Sequence, residues 1–161
     1  MKILAGRSAG KTEYSRAFYK KGEVPEALLD RIELILEEEG KRGTDKGREE
    51  IELVFITDLS LEGRYSGELI VVTERRILNL SSVERPYMTE LAVELESIED
   101  MVLRQLTGNN ILKISRGEGS LEFLRCTPAL QLDLNDFLSK LDELLQERFN
   151  RESVLGTLKH A

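Results

Sequence analysis

One cysteine, one histidine, three prolines and no tryptophan in 161 residues leave this chain few ways to do chemistry. Its single thiol, Cys126, has no internal partner for a disulfide, and a small buried hydrophobe on a strand is its expected role. The only histidine, His160, stands beside the C-terminus and far from that cysteine, so a zinc site of the Cys/His type has no ligand set to draw on. A Ser-His-acid triad fails for the same reason, and no enzyme activity is expected. The acidic run 37–39 reads as a solvated helix end, so neither a metal nor a cofactor is expected. Aromatic residues are also scarce. Phe55, Tyr65, Tyr87 and Phe123 fall at strand positions without alternating cations, which suits core packing better than a platform for nucleic-acid bases.

Long apolar runs are missing too. Stretches such as 69–72 fall far short of the roughly 20 residues that cross a bilayer. The N-terminus lacks the apolar core of a secretion signal, and with the lone cysteine this leads to the expectation of a reducing cytoplasm.

Charge is abundant but unevenly placed. Residues 1–21 carry Lys2, Arg7, Lys11, Arg16, Lys20 and Lys21 against Glu13, about +5 in a chain of net charge -7, which leaves about -12 for the rest. That body repels nucleic acid and anionic lipid, so no nucleic-acid partner is expected. Only the basic terminus has the charge for peripheral contact with the inner face of a membrane.

Apolar spacing divides the chain into segments. Residues 1–22 hold few apolar side chains and read as a flexible basic segment. Residues 24–50 read as a helix and a charged linker: Leu28, Leu29, Ile32, Ile35 and Leu36 recur at helical spacing, whereas 37–50 contains no apolar side chain and three glycines. From 51 to 126 seven short strands follow one another, at 51–56, 68–72, 76–80, 90–96, 101–106, 111–115 and 121–126. Thr127 and Pro128 then form a cap and first turn, and Leu130, Leu134, Phe137, Leu138, Leu141, Leu145 and Phe149 make one helical stripe. Such a stripe needs a surface to cover, and the open end of a bent antiparallel sheet is the nearest. An α+β roll with a terminal capping helix over 51–150 is the expectation. In the tail, 151–161, Val154, Leu155 and Leu158 continue at helical spacing.

The phrase TDLSLEGRYSGELIVVTERRILNL, residues 57–80, carries a Thr-Asp, a Gly-Arg-Tyr and a Val-Thr-x-x-Arg in that order. Together with ESIEDMVLRQLTGNNILKI, residues 96–114, it resembles the pleckstrin-homology-like (PH-like) N-terminal cytoplasmic domain of certain bacterial ABC exporters, over roughly residues 24–149. The resemblance implies a PH-like roll of about seven antiparallel strands with an N-terminal helical extension. It also implies a non-catalytic accessory domain that works by protein contact, with the membrane-spanning and ATP-hydrolysing parts elsewhere in the polypeptide. Many eukaryotic domains of this fold bind phosphoinositides through a basic loop between the first two strands; here that loop, 59–67, offers Arg64 offset by Glu62. Arg64, with Arg75 and Arg76 at the next hairpin tip, is a candidate for partner contact.

Two other readings compete. Residues 5–12, AGRSAGKT, fit a phosphate-binding loop with alanine at the first glycine; Gly10, Lys11 and Thr12 would cradle nucleotide, and Asp58 would help hold Mg²⁺. Only four residues precede the motif, too few for a rigid supporting strand, so ATP with Mg²⁺ is expected to bind negligibly. The third reading is a stand-alone adaptor or a homodimer formed through the C-terminal helix.

Overall fold

The computed structural model describes residues 16–42, 49–82, 91–117 and 119–158. Along the chain these form β1 (Phe18–Lys20), α1 (Glu26–Arg42), β2 (Ile51–Ile56), β3 (Glu68–Thr73), β4 (Arg76–Ser82) and β5 (Leu91–Glu94). Then come β6 (Asp100–Leu106), β7 (Asn109–Arg116), β8 (Gly119–Cys126), α2 (Gln131–Phe149) and β9 (Leu155–Leu158). The fold is α+β, with two sheets and a C-terminal helix. The first sheet has the order β1-β2-β3-β4-β5 and the second β8-β7-β6-β9; every pairing is antiparallel except that of β9 with β6.

Alternation along the first sheet gives it two buried faces. Leu53, Phe55, Ile70, Val72 and Ile77 point into a core shared with the second sheet and α2. Their neighbours Val54, Ile56, Leu69, Val71 and Leu78 point the other way, onto Leu28, Ile32 and Ile35 of α1. A strand packed on both sides is apolar throughout, which is why β3 reads as a near-continuous run. A bulge between Ile51 and Leu53 breaks the two-residue period, so Ile51 joins the α1 side while Leu53 faces inward.

The α2 stripe is spent inside the roll: Leu134, Phe137, Leu138, Leu141 and Leu145 are buried in the larger core. Phe137 stacks on Phe55, ring centroids 5.2 Å apart, and meets the edge of Phe18 at 5.8 Å. The hydroxyl of Thr127 accepts from the amide of Ala129 and starts a short 3-10 turn, Pro128–Leu130, ahead of the helix.

The structure departs from the sequence reading at both ends. Residues 18–20, inside the segment expected to be flexible, form β1, with Ala17, Phe18 and Tyr19 buried. Three residues are too few to raise a periodic signal, and the contact that holds them lies far away: the amide of Ala17 donates to Asp133 of α2 at 2.8 Å. The tail does not continue as helix. Asn150 takes a left-handed φ of 50° at the end of α2, and Asp142 then accepts from the hydroxyl of Ser153 at 2.6 Å and the amide of Val154 at 3.0 Å. This turn delivers Leu155–Leu158 as β9 alongside β6. Tyr65 is a further correction: it lies in the β2–β3 loop, 70% exposed, and not on a strand. The remaining aromatic candidates Phe55 and Phe123 are fully buried, while Tyr87 falls outside the described residues.

Candidate functional site

The Thr-Asp and Val-Thr-x-x-Arg motifs resolve into side chains that organise backbone. Thr57 donates its hydroxyl to the carbonyl of Leu59 at 2.8 Å and accepts from the amide of Glu68 at 2.9 Å, closing the base of the β2–β3 loop. A Cβ on Gly67 would lie 3.0 Å from the carbonyl oxygen of Thr57, so this closure needs glycine there. Asp58 is buried, and its carboxylate accepts from both the amide of Thr127, at 2.9 Å, and the Thr127 hydroxyl. It thereby ties the end of β2 to the start of α2. Behind this latch the carboxylate of Glu68 accepts from the amide of Leu61 and from Asn79, whose amide group also donates to the carbonyl of Phe123 at 2.9 Å. Glu68 and Asn79 are both buried, so this network joins the two sheets through their interior.

Of the partner-contact candidates, Arg75 and Arg76 are engaged by this chain. Glu49, in the segment after α1, pairs with Arg76 at 2.8 Å and Arg75 at 3.2 Å and accepts the hydroxyl of Thr73 at 2.7 Å. Thr73 in turn accepts from the amides of Arg75 and Arg76. The Val-Thr-x-x-Arg motif is therefore a hairpin clamp. Burial acts to raise the pKa of Glu49, but hydrogen bonds from Arg76 and Thr73 and the two guanidinium charges outweigh it and leave the group below its usual 4.5. The clamp thus stabilises the fold fully above that value and is lost as the pH falls through the lower folded-state value. The expected outcome is that acidification from about pH 5 to about pH 3 destabilises the parent chain more steeply than Glu49→Gln in denaturant melts. Equal slopes would show that Glu49 contributes nothing to the acid response.

Asp58, the metal-holding candidate of the nucleotide reading, has each carboxylate oxygen occupied by Thr127. Gly10, Lys11 and Thr12 lie outside the described residues, as does His160. Asp58→Ala should cost about 1–2 kcal/mol, the range for losing a cap, together with protection of the first turn of α2 in hydrogen exchange. An unchanged midpoint would remove the latch. Cys126 is fully buried, and burial, with a smaller contribution from the Asp58 charge, pushes its thiol up to about 12, which keeps it protonated and inert.

Arg64 is the one candidate the structure leaves outward. It is exposed in the loop 61–67 and its side chain has no bond among the described residues, although its amide is held by Ser60. The adjoining Gly63 lies against Arg125: a Cβ there would sit 3.6 Å from its Nη1. Arg125 opens a cationic face that the sequence reading missed. In the register of the second sheet Arg104 of β6, Ile111 of β7 and Arg125 of β8 stand directly across from one another. Val102, Lys113 and Glu122 form the next row on the same face. The signal was present in the sequence, since VLRQL, ILKIS and FLRC each put one cation among alternating apolar residues. Only the register shows that the three adjoin.

Among the described residues no group of His, Cys, Asp and Glu is arranged to hold a metal ion, and no helix is long and apolar enough to cross a membrane. Neither a protein-family model nor a curated protein matches the chain.

Proposed function

We propose that this chain is a PH-like accessory domain that works by contact with protein, as a cytoplasmic regulatory part of a bacterial ABC-type exporter. The observation that carries the reading is the strand plan. Seven consecutive antiparallel strands, β2 to β5 and β6 to β8, form two sheets that one C-terminal helix closes. That is the layout the 57–80 and 96–114 motifs imply. Two of the motifs also have a stated job in building it: Thr57 and Asp58 set the loop and the helix start, and Thr73 and Arg76 set the hairpin. The polar groups gathered here hold backbone and each other, which suits a module that presents a surface. Its contact surface differs from the hairpin tip, because Glu49 takes Arg75 and Arg76.

The test is the gene and its neighbourhood. A membrane domain and an ATPase module in the same reading frame, or in a co-transcribed neighbouring gene, are the expected finding. A frame that closes near Ala161 with no exporter gene beside it would overturn the exporter assignment.

A further inference from the structure

We propose that the outer face of the second sheet is a docking surface for an acidic, extended segment of a protein partner; this rests on the reading of the chain as a contact module. Arg104, Lys113 and Arg125 come from three adjacent strands and share one face. Neighbouring strands lie about 4.8 Å apart, so Arg104 and Arg125 are separated by roughly 10 Å with Ile111 between them and Lys113 one step along. Ile111 stands on the same side of the sheet as these cations and is only 4% exposed.

Charge on this face is unbalanced. Neither Arg104 nor Lys113 has an ion pair or side-chain hydrogen bond among the described residues. The one carboxylate within the two rows, Glu122, pairs with Arg125 at 3.2 Å. The Nε of Arg125 is buried and has no hydrogen-bond partner among the described residues. Like charges on adjoining strand positions repel, and an outward position accepts any polar residue, so the fold has no need of three cations here. A chain of net charge -7 that gathers cations on one face presents a complement to an anion.

The shape selects an extended peptide. Carboxylates at alternate positions share one side of an extended chain and stand about 7 Å apart, a spacing that the flexible Arg104, Lys113 and Arg125 side chains span. Gly63, next to the exposed Arg64, lies against Arg125 of this face. A membrane suits it poorly. A flat bilayer would press Glu122 and Asp100 onto anionic lipid together with the cations, whereas a peptide threads between them. The acidic body opposes nucleic acid in the same way.

The experiment uses the whole chain and a fluorescein-labelled peptide of three Glu-Ser-Glu-Val repeats. Fluorescence anisotropy should show saturable binding that weakens with salt and vanishes when glutamine replaces glutamate in the peptide. Arg104→Glu with Lys113→Glu should weaken binding at least about tenfold, while Lys140→Glu on α2 leaves it unchanged. Amide shifts of the ¹⁵N-labelled parent chain on titration should fall on β6, β7 and β8, a map that decides the matter if the double variant fails to fold. Absence of saturable binding, shifts confined to another face, or full affinity in the folded double variant would overturn the proposal. So would co-sedimentation with phosphatidylserine vesicles through the same residues without peptide binding. A failed titration beside an intact exporter gene removes this surface and keeps the function proposed above; a positive titration with no exporter gene does the reverse.

Discussion

Phe137→Ala lowers the unfolding free energy by about 3–5 kcal/mol, the range for truncating a buried aromatic side chain. Phe137 is fully buried, stacked on Phe55 of β2 and edge-on to Phe18 of β1, so one substitution leaves a cavity where α2, the first sheet and the N-terminal strand meet. Urea melts followed by circular dichroism measure it directly. The loss should also loosen β1, because Phe18 loses the ring it packs on. A loss under about 1 kcal/mol would mean that the surroundings collapse onto the space and that the packing is not specific.

Asn79→Leu is the second large effect, expected at about 3 kcal/mol. The side chains are similar in volume, so the cost comes from hydrogen bonding rather than from a cavity. Asn79 donates to the buried carboxylate of Glu68 at 3.0 Å and to the carbonyl of Phe123 at 2.9 Å, and leucine leaves both acceptors short of a donor away from water. Coupled replacement, Asn79→Leu with Glu68→Leu, should recover part of the loss, since removing both sides of a buried polar contact costs less than removing one. A double variant no more stable than Asn79→Leu would overturn that account.

The alternation of 51–56 and 91–95, the glycine and asparagine cluster at 108–110, and the Thr127-Pro128 cap made the seven central strands and the terminal helix legible, because each is a local signal. What stayed hidden depends on distant partners. β1 is held by Asp133, over a hundred residues on, and β9 by Asp142 through a turn that only the left-handed Asn150 allows. Arg75 and Arg76 looked available because their partner, Glu49, stands across a segment that reads as a solvated linker. Arg104, Lys113 and Arg125 each sit at an outward position anyone could mark, yet their adjacency is a property of register. Sequence carries the face of a strand through its two-residue period, but not which residue of the next strand stands opposite.

The first sheet, with α1 on one side and α2 on the other, acts as a partition. Substitutions such as Ile32→Ala behind it and Leu141→Ala in front of it touch separate clusters. Their stability losses should therefore add within about 0.5 kcal/mol. The helix α1 and the residues it covers can thus drift together over many sequences while the interior of the roll keeps its own shape, so the two halves of the core are free to evolve at different rates.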